Sequence, residues 1–143
     1  MKQQTTYLKL AKEEDVPDLL KLSRDLYEES IYSRNTAFAE DQVEATLDMS
    51  TSEHDKICTV MLKKEEETIG FITMAASNYH FSNEKMAIEL GFWIKPDHRS
   101  FSNLRKLVSS YFYWAKKIGC KTAMLGKLKD KHSPEYYIIR RLS

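Results

Sequence analysis

Three apolar segments follow one another between residues 56 and 94 of this 143-residue chain, with only polar connections between them. Residues 56–62 read KICTVML, residues 68–76 read TIGFITMAA and residues 86–94 read MAIELGFWI. Their length and their β-branched and aromatic content are typical of strands. The charged turn at 63–67 favours a hairpin between the first two segments. A sheet is therefore expected at the centre of the fold.

Helical periodicity flanks these strands. Apolar residues recur at helical spacing from 15 to about 30, around 40–49 and over 103–118. Pro17 suits the first turn of one helix, and Gly119 suits the C-terminal cap of another. Strands at 5–11 and 122–125 and a last helix at 134–142 complete the order β-α-α-β-β-β-α-β-α. This order predicts an α/β (α+β) fold, a mixed and mostly antiparallel sheet flanked by helices, with one parallel crossover late in the chain.

Length and composition exclude several classes of protein. A chain of 143 residues suits one domain, 1–143, and 42% apolar with 30% charged residues excludes a disordered chain. No apolar run approaches the roughly 20 residues of a membrane helix, and residues 1–15 lack the apolar segment of a secretory signal peptide. We therefore expect a cytoplasmic protein without a membrane partner. Cys58 and Cys120 lie in no CxxC or Cys/His cluster and are expected to be buried free thiols.

The two halves of the chain carry opposite charge. Residues 1–70 hold 9 Lys/Arg and 16 Asp/Glu, whereas residues 71–143 hold 13 and 5. The basic half indicates a local anionic ligand, unless folding interleaves the halves and neutralises both. The overall charge of +1 disfavours nucleic-acid binding. The four histidines show no metal-ligand spacing, so no metal is expected.

The stretch from 88 to 120 is the most informative. A strand ends at a proline turn, a basic polar loop follows, and a helix then begins. Such a unit directs free backbone N–H groups and the positive end of the helix dipole at one place. Arg99, Arg105 and Lys106 surround that place, which suits a pyrophosphate; the alternative is that these are solvated surface charges.

Four local strings carry a family resemblance: LKLAKEEDVPDLLKL, ETIGFITM, ELGFWIKPDHR and YFYWAKKIGCKTAML. With the element order, they show that the chain resembles the GNAT family of N-acetyltransferases over nearly its whole length. The resemblance implies acetyl-CoA as co-substrate, with pantetheine along the fourth strand and pyrophosphate on the following loop. The cofactor-binding residues that it implies are Phe92, Trp93, Ile94, Arg99, Ser100, Ser102, Asn103, Leu104 and Arg105.

The loop departs from the family pattern (Arg/Gln)-x-x-Gly-x-(Gly/Ala). Arg99 matches the first position, but Ser102 and Leu104 stand where the family has small residues that allow close backbone approach to phosphate. Ser102 and Asn103 are expected to compensate, as side-chain donors or as the cap of the helix.

The resemblance also implies catalytic residues. Glu89 stands mid-strand where several family members have the general base; the alternative is a carboxylate that faces solvent or pairs with a lysine. Ile139 occupies the place of the family's tyrosine acid, so Tyr136, one turn earlier, is the substitute candidate. Tyr79 and His80 are expected to border the acceptor pocket.

The implied function is acetyl transfer from acetyl-CoA to an amine, on a small molecule or a protein, by direct attack. Glu89 would take the amine proton, and backbone N–H groups would stabilise the oxyanion. The alternative is a catalytically degenerate GNAT fold that serves as a binding or structural module in a larger assembly.

The C-terminal edge carries a separate expectation. The family continues with two further strands, which are missing from the predicted order, so the strand at 122–125 would be left with an unpaired edge. Such an edge predicts a homodimer or a partner protein over 122–125 and 136–142. The alternative is that a loop or the terminal helix folds over it.

Overall fold

The computed structural model describes residues 5–30, 32–78, 80, 82–127 and 136–142. Within these residues lie six strands in one sheet and four α-helices. In chain order they are β1 (Thr6–Leu10), α1 (Val16–Glu29), α2 (Tyr32–Asn35), α3 (Glu40–Ser50), β2 (Ile57–Lys64), β3 (Glu67–Asn78), β4 (Lys85–Ile94), α4 (Phe101–Lys117), β5 (Thr122–Lys127) and β6 (Tyr136–Arg141).

The sheet has the strand order β1-β2-β3-β4-β5-β6. Every neighbouring pair is antiparallel except β4 and β5, which are parallel. The exception follows from the connection, because α4 lies between these strands in the chain and a crossover helix returns the chain in the same direction. The predicted mixed, mostly antiparallel sheet flanked by helices is confirmed.

The two faces of the sheet bury different sets of side chains. Leu62, Ile72 and Ile94 pack with Leu107 of α4, while their sequence neighbours Met61, Phe71 and Trp93 pack with α1 and α3. This alternation is the period of two expected of a strand, with both faces covered. We call the two sides the α4 face and the α1/α3 face.

A partly buried ion pair joins the start of α1 to β1. The carboxylate of Asp15 accepts hydrogen bonds from Lys9 Nζ at 2.7 Å and from the backbone N–H of Lys12 at 2.9 Å. Burial works against the charged form of Asp15, but these two hydrogen bonds outweigh it and lower the pKa of the carboxyl group. The pair ties the acidic segment before α1 to the sheet.

The helix predicted at 134–142 is wrong in its described part. Residues Tyr136–Arg141 form a strand that pairs antiparallel with the whole of β5, from Thr122↔Arg141 to Lys127↔Tyr136. The segment YYIIRR is aromatic and β-branched, and a neighbouring strand with open backbone groups makes these propensities decisive. The expected unpaired edge at 122–125 is therefore also wrong, since the outer edge of the sheet on this side belongs to β6. The expected dimer or partner at this end stays a prediction.

No helix in the described part of the chain is long and apolar enough to cross a membrane.

Candidate active site

The parallel pair β4–β5 separates partway along its length. Pairing runs only from Met86↔Thr122 to Ile88↔Met124, although β4 continues to Ile94 and β5 to Lys127. The sheet therefore splits after Ile88. From Leu90 to Ile94, no residue of β4 pairs with β5 within the described residues.

A β-bulge lies at the start of this split. Thr73 of β3 pairs with Gly91 and the next residue, Met74, pairs with Glu89, so Leu90 is the extra residue on β4. A bulge bends its strand and increases its twist, which turns the end of β4 away from β5. Because the bulge also shifts the alternation by one residue, Glu89 lies on the α4 face while Gly91 lies on the α1/α3 face.

The N-terminus of α4 points toward the same opening. Ser100 is its cap, and the Ser100 hydroxyl oxygen accepts a hydrogen bond from the Asn103 N–H at 3.1 Å. The helix begins at Phe101, two residues before the start predicted from its apolar stripe. The prediction of Ser102 or Asn103 as the cap is therefore wrong. The N–H groups of Phe101 and Ser102, in the first turn, have no acceptor within the helix. Together with the helix dipole they favour an anion at this end.

Arg99 precedes the cap and is held by three contacts. Its Nε–H donates to the Ile94 carbonyl oxygen at 2.7 Å, and an NH2 proton donates to Glu29 Oε2 at 2.8 Å. The guanidinium carbon lies 5.6 Å from the Trp93 ring centroid. A guanidinium has five N–H donors, so the two hydrogen bonds leave it with donors for a ligand. The pairs Arg99–Glu29 and Lys95–Glu67 also join the basic half of the chain to the acidic half.

The side chains of two neighbouring residues are turned away from the opening. Asn103 donates through Nδ2 to the His98 carbonyl at 2.8 Å and accepts through Oδ1 from Thr6 Oγ1 at 3.0 Å. Lys106 Nζ donates to the Thr6 carbonyl at 3.1 Å. These contacts connect α4 to β1, so neither side chain is placed toward a ligand at the α4 N-terminus.

The remaining cofactor candidates lie at or near the opening. Ser102 and Arg105 are exposed on the first turns of α4. The others line a cavity of about 1160 Å³. They are Phe92, Trp93, Ile94, Arg99, Ser100 and Leu104.

This cavity passes through the split in the sheet. At one end it reaches the N-terminal part of α4 and residues Leu125–Gly126 of β5, and at the other it lies between α1, α3 and the α1/α3 face. A single space therefore connects an anion-binding helix end to a pocket on the opposite face. Such a large concave space with a few polar groups is typical of a ligand site.

Glu89 lies on the wall of this cavity, next to the bulge. Tyr111 of α4, which is fully buried, donates its hydroxyl proton to the Met124 carbonyl at 2.6 Å. Burial raises the pKa of Tyr111, and the negative charge of Glu89 raises it further. The carboxylate of Glu89 is therefore close to the point where β4 and β5 separate.

Several other sequence candidates have a different position. Tyr136 lies in β6 rather than in a helix, and its side chain is outside the described residues, as is Tyr79. His80 is exposed in the connection between β3 and β4 and does not line the cavity. Both cysteines are free and buried, as predicted, and burial raises the pKa of Cys58 to about 11. Such a thiol is a poor nucleophile.

No three or more His, Cys, Asp or Glu side chains in the described chain are grouped to hold a metal ion.

The comparison with known families decides the assignment. The model of the acetyltransferase (GNAT) family matches residues 17–137. The chain belongs to the GNAT family. The resemblance read from the sequence is thereby confirmed.

Solved GNAT structures share the fold at low sequence identity. A GNAT family acetyltransferase from Staphylococcus aureus has a TM-score of 0.65 at 21% identity, over 91% of this chain and 92% of that one. The aminoglycoside N-acetyltransferase AAC(6')-Iy in complex with CoA has a TM-score of 0.70 at 12% identity, over 84% and 75%. An aminoglycoside acetyltransferase from an uncultured soil metagenomic sample, in complex with sisomicin, has a TM-score of 0.65 at 13% identity, over 87% and 78%. No curated protein matches the sequence.

The sequence of this GNAT chain did not predict the pocket on the α1/α3 face. Its walls include Tyr27 of α1, Phe38, Thr46 of α3, and Phe71 and Thr73 of β3. Phe71 and Thr73 lie in the string ETIGFITM, but Tyr27, Phe38 and Thr46 belong to no motif, and Phe38 lies in a connection without regular structure. The rings of Tyr27 and Phe38 approach to 5.3 Å between centroids. Only the packing of α1 and α3 against the sheet brings them together.

Proposed function

We propose that this protein transfers an acetyl group from acetyl-CoA to a primary amine. The observation that carries the proposal is the split after Ile88, which opens into one cavity with the N-terminus of α4 on one side and the α1/α3 pocket on the other. A thioester bound in the split would meet an amine bound in that pocket.

The donor side supports a CoA-like ligand. The unpaired stretch of β4 offers backbone groups to the amides of pantetheine, in the manner of an added strand. The N–H groups of Phe101 and Ser102, with the guanidinium groups of Arg99 and Arg105, suit the pyrophosphate. Leu104 N–H donates to the Ser100 carbonyl at 3.0 Å, so the amide at the family's second small position is engaged within the helix. The guanidinium groups of Arg99 and Arg105 would therefore contribute more to phosphate binding here than a side chain does in the family pattern.

The chemistry is a direct displacement at the thioester carbonyl. An uncharged amine attacks the carbonyl carbon, the C–N bond forms, and the C–S bond breaks to release the CoA thiolate. Before the attack, Glu89 takes the proton that the ammonium must lose, directly or through a water molecule. The nitrogen loses a second proton after the C–N bond has formed, and this proton goes to the departing thiolate. Backbone N–H groups at the split stabilise the negative charge on the carbonyl oxygen.

Calorimetric titration with CoA and acetyl-CoA tests the donor side. We expect binding that weakens at least tenfold in Arg105→Glu and changes less than twofold in Lys121→Glu, an equal change of charge on an exposed residue between α4 and β5. No heat and no thermal shift at millimolar CoA would overturn the proposal.

Release of CoA thiol in the presence of amines tests the transfer step. Glu89→Gln is expected to lower kcat by about 10²–10⁴-fold while CoA affinity stays within about twofold. An unchanged kcat would remove Glu89 from the mechanism. CoA binding without transfer to any amine would instead favour the binding module, the alternative that the altered phosphate loop supports.

A further inference from the structure

The pocket on the α1/α3 face has few charged groups. We call it the acceptor pocket and define it by the residues that line the cavity from α1, α3, β3 and the connection before α3. They are Ser23, Leu26, Tyr27, Glu29, Ala37, Phe38, Ala39, Gln42, Val43, Thr46, Leu47, Phe71 and Thr73. Glu29 is the charged side chain among them, and its carboxylate pairs with Arg99.

The charges of the whole cavity come from three residues among the described part of its lining: Glu29, Glu89 and Arg99. Arg99 donates to Glu29 Oε2 at 2.8 Å, and Trp93 Nε1–H donates to the same oxygen at 3.0 Å. These contacts hold the charge of Glu29 at the edge of the cavity. Because Arg99 and Glu29 form an ion pair, Glu89 supplies the remaining charge of −1, which matches one ammonium group. A ligand with several ammonium groups would leave cations without a counter-charge in a desolvated space.

A cation lies against the outer side of the acceptor pocket. The guanidinium carbon of Arg24 lies 4.4 Å from the centroid of the Phe38 ring. Its charge disfavours a second positive charge bound on the other side of that ring.

Two hydroxyl groups of the pocket are hydrogen-bonded within the protein. Thr73 Oγ1 lies 2.8 Å from Thr59 Oγ1, and Thr46 Oγ1 donates to the Gln42 carbonyl at 3.1 Å. A sugar needs a hydrogen-bond partner for nearly every hydroxyl group that it buries. Walls of this kind suit an apolar body better than a sugar ring.

Aromatic rings supply such an apolar surface. Tyr27 and Phe38 lie with centroids 5.3 Å apart at an interplanar angle of 49°, and the buried ring of Phe71 lines the same pocket. Aromatic rings favour offset or edge-to-face contact with one another, so these side chains suit an aromatic ligand.

We propose that the acceptor is a primary amine with a single positive charge and an aromatic body, and that the acceptor pocket excludes polyamines and aminoglycosides. The proposal rests on the proposed acetyl transfer. The amine would lie toward Glu89 at the split, and the aromatic body would lie between Tyr27, Phe38 and Phe71. This separates the chain from the structural neighbour that was solved with sisomicin.

A set of four amines tests the proposal: 2-phenylethylamine, ethylamine, spermidine and sisomicin. Calorimetry measures the affinity of each for the free and the CoA-loaded protein, and thiol release measures kcat/KM with acetyl-CoA. We expect the affinity and the kcat/KM for 2-phenylethylamine each to be at least tenfold higher than for any of the other three amines. Equal values for ethylamine, or a preference for spermidine or sisomicin, would overturn the proposal.

Two variants assign the selectivity to the acceptor pocket. Phe38→Leu is expected to lower the affinity for 2-phenylethylamine at least threefold and to leave the affinity for ethylamine unchanged. Thr46→Asp adds a carboxylate to the wall. It is expected to shift the ratio of the affinity for spermidine to the affinity for 2-phenylethylamine at least fivefold toward spermidine. Ser52→Asp adds the same charge on an exposed residue after α3 and is expected to move the ratio less than twofold. Equal shifts in both Asp variants would contradict the assignment.

The same titrations separate this inference from the proposed function. If CoA does not bind, the proposed function fails, and the order of amine affinities for the free protein still decides the inference. If CoA binds and an amine other than 2-phenylethylamine is preferred, the proposed function stands and the inference fails.

Discussion

The α4 face of the sheet is filled with side chains, whereas the α1/α3 face is filled near β1 and β2 and opens into the cavity near β4. On the α4 face Leu107, Tyr111 and Ala115 are fully buried against the strands. On the other face Leu19 and Leu22 pack closely with Met61, but Tyr27 and Phe38 line the cavity. Both faces are built from the same strands with the same alternation. The comparison shows that stability and ligand space are divided between the two faces, and that the bulge at Leu90 marks the change along β4.

The largest expected effect contrasts two leucines of α4. Leu107 is fully buried on the α4 face, whereas Leu104, almost one turn earlier, is 44% exposed on the wall of the cavity. Leu107→Ala should lower the free energy of unfolding by about 2–5 kcal/mol, because it leaves a void in a packed core. Leu104→Ala should lower it by less than about 1 kcal/mol. Chemical denaturation measures both, and equal losses would contradict the division between packed core and ligand wall.

A smaller effect is expected at the packed end of the α1/α3 face, where Asp15 joins α1 to β1. Asp15→Asn should lower the free energy of unfolding at pH 7 by about 1.5–3 kcal/mol, because a hydrogen bond to a charged group is weakened. The pKa of Asp15 is lowered in the folded protein, so its stabilisation is complete above the unfolded value of about 3.9 and is lost as the pH falls through the folded value.

The wild-type protein should therefore lose stability more steeply than Asp15→Asn below about pH 4. Asp18→Asn, which changes an exposed acid in the first turn of α1, serves as the control and should follow the wild-type curve. Parallel curves for the wild type and Asp15→Asn would show that the ion pair contributes little.

The smallest expected effect lies where the packed face meets the split. Tyr111→Phe removes the hydrogen bond to the Met124 carbonyl and should cost about 1 kcal/mol of the free energy of unfolding. The amides of β5 near Met124 should exchange faster with solvent, because the strand loses its tie to α4 at the point where it leaves β4. Tyr113→Phe on the exposed side of α4, where Tyr113 is 70% exposed, should change neither quantity. Unchanged exchange in Tyr111→Phe would mean that pairing alone holds β5 in place.

Local sequence patterns predicted most of the elements and failed at the last one. Strand and helix periodicity indicated β1 to β5, α1, α3 and α4, because each has a stripe or alternation that its own residues define. The short helix α2 has four residues and no such pattern. The segment of β6 has apolar residues without a clear period, so its state depends on the open edge of β5, which is a neighbour in space rather than a property of the segment.

Part of the cavity lining was predicted from the sequence, but its geometry was not. The strand–loop–helix stretch and the family strings indicated where a cofactor would bind, and Glu89 and Arg99 do line one cavity. The inward turn of Asn103 could not be read from the sequence, because its partner Thr6 is 97 residues away. The same holds for Arg99 and Glu29, which are 70 residues apart.

The amino-acid sequence by itself determined the alternation of the strands, the apolar stripes of the helices and membership of the GNAT family. These properties depend on the order of residues that are near one another in the chain, and on short strings that each lie within one segment. Tertiary structure decided the bulge at Leu90, the split after Ile88 and the aromatic walls of the acceptor pocket. Each of these arises from residues that are distant in the chain, and only the packing of both helical layers against one sheet sets their positions.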